Sequence, residues 1–155
     1  MTTFLLAVVG VGLLLAGPIL IARGTAGRRS IRAELSEQKI VFPDRHELPA
    51  ALAGYAGVQV RTGEHARAFA DFIGANVARA TGGRTYAQIA EELQACGGSD
   101  ERLTRLRQTA FMGQTLRGSL LGAYQAWQVT TLVIGLGALV AAMGLAFLAL
   151  AVTGA

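Results

Sequence analysis

FLLAVVGVGLLLAGPILIA, residues 4–22, carries no charged side chain. As a helix rising about 1.5 Å per residue it reaches roughly 30 Å, the thickness of a bilayer's hydrocarbon core. A cleaved secretory signal is the rival reading. That device needs basic residues ahead of a shorter apolar run and a small-residue cleavage site behind it. Here no Lys or Arg precedes the run, and Arg23, Arg28, Arg29 and Arg32 follow it, which favours a retained anchor.

A second uncharged stretch fills residues 118–155. As one continuous helix it would be about 57 Å long, more than the hydrocarbon alone can cover. Tyr124 and Trp127 stand where an interfacial aromatic belt falls, and the strongly apolar run starts at Val129. The expected span is therefore residues 129–152, with residues 118–128 at the headgroups or within the intervening domain. All 14 basic and 10 acidic side chains lie between Arg23 and Arg117. Charge is thus confined to the middle, and at 15% of the chain it is well below the roughly 25% of soluble domains. These features predict a mainly α membrane protein. Its expected form is an antiparallel two-helix transmembrane hairpin, residues 4–22 and 129–152, holding a small, mostly helical loop domain, residues 23–128. That loop is near the lower size limit for a single hydrophobic core.

Small residues recur at helical spacing in both spans: Gly10 and Gly17 in the first, Gly137, Ala141 and Gly144 in the second. Glycine lets helix backbones approach closely, and van der Waals contact holds helices together in lipid. These faces suit either packing of the two spans on each other or docking of a partner's helix. Pro18 is expected to bend or end the first helix. The arginines after the first span and Arg117 before the second, with no basic residue in either tail, favour a cytoplasmic loop in the plasma membrane by the positive-inside bias.

Within the loop, residues 30–38 place Ile31 and Leu35 four apart, a short amphipathic helix. Residues 39–42 (KIVF) and 57–61 (GVQVR) are β-prone and admit one short two-stranded ribbon, with a loop and a turn of helix between them. Thr62 suits the N-cap of a helix over residues 64–80, with Ala66, Phe69, Ile73 and Val77 on one face and Gly82 as its stop. Thr85 and Gln88 have capping-box spacing for a helix over residues 86–96, ended by Gly97 and Gly98. Ser99 or Asp100 then caps a long helix with Leu103, Leu106, Ala110, Leu116, Leu120 and Trp127 on its apolar stripe, running directly into the second span.

Chemistry-bearing residues are few. His46 and His65, with Asp44, Glu47 and Glu64 nearby, have no diagnostic metal spacing, and Cys96 sits near a helix end rather than at an N-terminus, with neither histidine adjacent in sequence. Gly82-Gly83-Arg84-Thr85 precedes a helix N-terminus but lacks the phosphate-loop pattern, so a turn and cap explains it. Arg84 and Arg117 are the candidate contacts for a lipid headgroup or small anion. No cofactor or metal is expected. Nucleic acid is excluded because no basic run exceeds the pair Arg28-Arg29 and acids are interleaved throughout.

Two stretches, TGGRTYAQI at residues 81–89 and the F-x-x-x-x-L-R-x-S-L pattern at residues 111–120, give the chain a family likeness. It resembles small actinobacterial two-span membrane proteins of uncharacterised function, in which T-G-G-[KR]-T-Y-A is the recognisable motif. The likeness extends from Glu37 onward. Members are sometimes labelled aromatic ring-opening dioxygenases, a label whose iron site the two histidines here do not form. The resemblance carries over no catalytic residue. The expected function is non-enzymatic: an accessory or scaffold subunit held by the bilayer, by other membrane subunits or by self-association. The alternative is a membrane-anchored sensor or binding module for a lipid headgroup or small anion.

Overall fold

The computed structural model describes residues 2–153, so the uncharged tails of the orientation argument lie partly outside the described residues. The chain is mainly helical, with no strand among the described residues. Four α-helices follow in order: α1 (Thr2–Glu37), α2 (Gly63–Thr81), α3 (Tyr86–Ala95) and α4 (Glu101–Thr153). Two short 3-10 helices, Arg45–Glu47 and Ala50–Tyr55, lie between α1 and α2. Both α1 and α4 are long and apolar enough to cross a membrane, with mean hydropathy of 2.7 and 2.5 over their most apolar windows. Only 11% of each window is buried within the chain.

The chain divides into two compact units. The first joins residues 1–34 to residues 126–155; the second is residues 35–125. In the first unit α1 and α4 meet along glycines. A Cβ on Gly10 would lie 2.9 Å from Leu148 Cγ and 3.1 Å from the Gly144 carbonyl oxygen. One on Gly17 would lie 2.7 Å from both the Ala141 Cβ and the Gly137 carbonyl oxygen, and one on Gly24 would lie 2.6 Å from Ile134 Cγ1. Each step of seven residues forward on α1 is matched by seven backward on α4, through Gly144, Gly137 and Thr130. A strict seven-residue repeat keeps one face of a helix turned to its neighbour, at the cost of a slight left-handed supercoil. Pro18 neither ends α1 nor separates the helices. It sits inside α1, and its missing N–H deprives only the Leu14 carbonyl of a partner.

The second unit packs α2, α3 and the early part of α4 with the end of α1. Ile89 and Leu93 of α3 are buried against Leu103 and Ala110 of α4, with Leu106 beside them. Along α2, Val77 fills the space at Gly113, Arg117 lies against Gly74, and Arg67 reaches Tyr124. Aromatic rings close the other side: Phe42 stacks on Tyr55 at 5.2 Å and meets Phe69 edge-on at 5.0 Å. Residues 30–38 are not a separate helix but the last turns of α1.

The two-stranded ribbon does not form. Residues 39–42 and 57–61 pair through a single antiparallel bridge, Val41 with Gln59. Val60 N–H donates to the Ile40 carbonyl at 2.9 Å and Phe42 N–H to the Val58 carbonyl at 3.0 Å. Left-handed Lys39 (φ 51°) breaks the extended run on one side, and Pro43, which has no amide hydrogen, ends it on the other.

Candidate functional site

The motif stretch at residues 81–88 is a corner between two helices. Gly82 ends α2 in the left-handed region (φ 63°), its N–H and that of Gly83 both reaching the Ala78 carbonyl. Gly83 follows at φ 78°, so two successive residues take a conformation that side chains with a Cβ resist. Arg84 then folds back, donating from Nε to the Thr81 carbonyl at 3.0 Å and from Nη1 to Glu92. Thr85 Oγ1 accepts from Gln88 N–H, and the Gln88 side chain accepts from Thr85 N–H, the reciprocal capping box. Tyr86 leans on Phe111 of α4 at 6.0 Å. Every one of these side chains is accounted for by the turn it builds. Thr81 is the exception: its hydroxyl is buried with no hydrogen-bond partner.

The two arginines proposed as anion contacts are not brought together. Arg84 is engaged by Glu92 and the turn, whereas Arg117 lies along α2 at Gly74 with its Nε buried and unpartnered. His46 and His65 are also apart in their contacts. His46 is exposed beside Glu47 at 3.6 Å, and His65 has Nδ1 3.2 Å from the Gln59 carbonyl and its ring edge-on to Tyr55. Among the described residues no three His, Cys, Asp or Glu side chains converge on one point. An open cleft of about 580 Å³ lies beside α2, lined by His46, Glu47, Leu48, Phe72, Asn76 and Arg79. Arg79 spends one donor on Asn76 at 3.3 Å, and His46 faces a carboxylate in the same wall, so the cleft shows mixed charge.

Tyr124 and Trp127, expected as interface anchors, have partners that the sequence did not suggest. In the second unit the Arg67 guanidinium lies 5.2 Å from the Tyr124 ring centroid and donates to its hydroxyl at 3.0 Å. That hydrogen bond, then the charge interaction with Tyr124, raises the Arg67 pKa from an already high value. The pair's contribution is therefore complete at neutral pH and fades only as the pH climbs beyond the ordinary arginine range. In the first unit Arg28 lies 4.7 Å over the Trp127 ring and donates to Thr131 Oγ1. The small residues proposed for packing, Gly10, Gly17, Gly137, Ala141 and Gly144, all lie in the α1–α4 contact. Gly24 and Thr130 extend it, and the seven-residue recurrence was the signal that would have found them.

No family model matches the chain, and neither a curated protein nor a solved structure matches it.

Proposed function

We propose that the protein is a two-span integral membrane protein whose charged domain serves as an accessory or scaffold subunit of a larger membrane assembly, without catalysis of its own. The apolar outer surfaces of α1 and α4 support insertion. Leu15 and Ile19 on α1, and Leu132, Leu139 and Leu145 on α4, are more than half exposed, an arrangement water penalises and lipid does not. With insertion, the glycine contacts fit an antiparallel transmembrane hairpin. The arginine excess favours a loop on the cytoplasmic side. The TGGRTYA and F-x-x-x-x-L-R-x-S-L stretches support membership of the actinobacterial two-span family.

The subunit reading is carried by a patch outside the spans. Phe111, Met112 and Leu116 are each more than half exposed on α4, between Arg107 and Arg117 in the charged part of the chain. Gly118 and Gly122 continue that exposed surface with open space above both. Contiguous apolar side chains in a charged segment suit a protein partner better than solvent. A photocrosslinking residue at Met112 should capture another membrane protein from intact membranes, and one at exposed Arg102 should not. Capture of only a second copy of this chain, or of nothing in repeated trials, would remove the accessory-subunit reading.

The binding-module reading loses Arg84, whose charge is met by Glu92, and draws its support instead from the arginines that follow the first span.

A further inference from the structure

The exposed patch on α4 has a charge pattern of its own. Helical residues advance about 100° each, so Phe111, Thr115, Gly118 and Gly122, spaced by four, three and four, share one outer face, with Met112 and Leu116 along its edge. The opposite face is taken: Ala110 is buried with Ile89 and Leu93 of α3, and Gly113 lies against Val77 of α2. Tyr86, 44% exposed and leaning on Phe111, carries the apolar surface on to α3. At its upstream end the face is basic on both borders. Arg107 stands four positions before Phe111 and Arg105 seven before Met112, and the two arginines fall about 160° apart around the helix, one on either side of the face. Glu101 is the only acid of α4, and its 3.2 Å pair with Arg105 joins two highly exposed side chains, a contact that contributes little. Among the described residues Arg107 has no ion pair. An apolar seam bordered on both sides by positive charge selects a partner by the acids on its flanks, as the border positions of paired helices do. The open space over Gly118 and Gly122 admits a helix at close range.

We propose that the Phe111–Gly122 face of α4 docks an amphipathic helix of another protein, apolar on its inner face and carrying Asp or Glu on both flanks at the end that meets Arg105 and Arg107. The proposal rests on the accessory-subunit reading and gives the partner of that reading a chemistry.

The test uses the full chain in phosphatidylcholine nanodiscs and two fluorescent synthetic helices, followed by anisotropy. The peptides share one leucine-rich inner face, flanked by glutamates in one and by lysines in the other. The glutamate peptide should bind about tenfold more tightly, from border pairs gained in one case and like-charge contacts met in the other. The double variant Arg105→Glu/Arg107→Glu changes only border charges, away from the packed face, and should reverse the order of the two peptides. Phe111→Ser should weaken both. Absence of glutamate-peptide binding, equal affinities, or an order that survives the charge reversal would overturn the proposal. So would quenching by brominated phospholipid of a fluorophore attached through Met112→Cys in a Cys96→Ser background, because the patch would then lie in the membrane surface. A disulfide between two copies through that same substitution would overturn it as well, by making a second copy the occupant. Photocrosslinking at Met112 in intact membranes separates the two layers. Capture of another membrane protein without charge preference among the peptides removes only the acidic helix, whereas capture of none removes the subunit reading beneath it.

Discussion

Replacing Gly17 by alanine sets two effects of opposite sign against each other. In an isolated helix the change is favourable by about 1 kcal/mol, because alanine loses less backbone entropy. In the α1–α4 contact the new methyl would sit 2.7 Å from the Ala141 Cβ, 2.7 Å from the Gly137 carbonyl oxygen and 2.8 Å from the Ala141 amide nitrogen. Two of the three obstacles are backbone, so no rotamer change relieves them. The helices must separate locally by roughly 1 Å, and a gap of that size forfeits a quarter to a half of each dispersion contact, each worth about 0.1–0.2 kcal/mol. Over a few tens of atom pairs the loss is about 1–3 kcal/mol, enough to outweigh the propensity gain. Gly12, one and a half turns earlier, has nothing within 4 Å, so Gly12→Ala supplies the propensity term alone. The assay is unfolding of detergent-solubilised protein by added dodecyl sulfate, followed through Trp127, whose stack under Arg28 breaks when the helices part. Gly17→Ala should lower the midpoint, and Gly12→Ala should leave it level or raise it. Equal behaviour of the two variants would refute the claim that these glycines are in close backbone contact.

Gly113→Ala should destabilise the second unit by about 1–3 kcal/mol in thermal unfolding, because its Cβ would run into Val77 Cγ2; adding Val77→Ala should recover part of the loss. Thr81→Val keeps the shape but removes a buried hydroxyl that has no partner, so it should be neutral or stabilising by about 1 kcal/mol, and a clear loss of stability would reveal a hydrogen bond at that position. Thr85→Ala removes the hydroxyl half of the capping box, leaving the residue 85 N–H to donate to Gln88, and should cost about 0.5–2 kcal/mol, read as earlier loss of hydrogen-exchange protection in α3. Tyr124→Phe removes the acceptor for Arg67 while keeping the ring beneath it; a small loss of stability, level across neutral pH, is expected in chemical denaturation.

The helices were legible because their ends are written in residues with one physical use. Thr62, Thr85 and Asp100 each accept a backbone N–H three positions on, and Gly82 takes the left-handed turn that stops α2. The ribbon was misread because β propensity at residues 39–42 and 57–61 says nothing of how far pairing can propagate, and Lys39 and Pro43 confine it to one bridge. The end of α1 was misplaced for a related reason. Its amphipathic last turns look like a new element once the charges begin and Gly24 and Gly27 intervene, although no proline stands between Arg23 and Glu37. The arginine partners of Trp127 and Tyr124 were beyond reach, since they join residues 99 and 57 positions apart in the chain that only the folded register brings into contact.

That register also changes what the small residues imply about partners. Gly10, Gly17 and Gly24 are occupied by Gly144, Gly137 and Thr130, so a partner's helix finds no close-packing face there. What stays open is of two kinds: Gly12 and Gly135 among large apolar side chains of the long helices, and Gly118 and Gly122 beside exposed Phe111 and Leu116. The first pair lies within the apolar segments, where, on the proposed insertion, lipid tails satisfy leucine and valine as well as a protein would. The second lies just past Arg117, beside exposed Phe111 and Leu116 of the charged segment, where a protein surface would offer an apolar contact of comparable size. If the chain has a protein partner, the physics of burial directs it to the Phe111–Gly122 face of α4 rather than to the glycine stripe from which a partner first suggested itself.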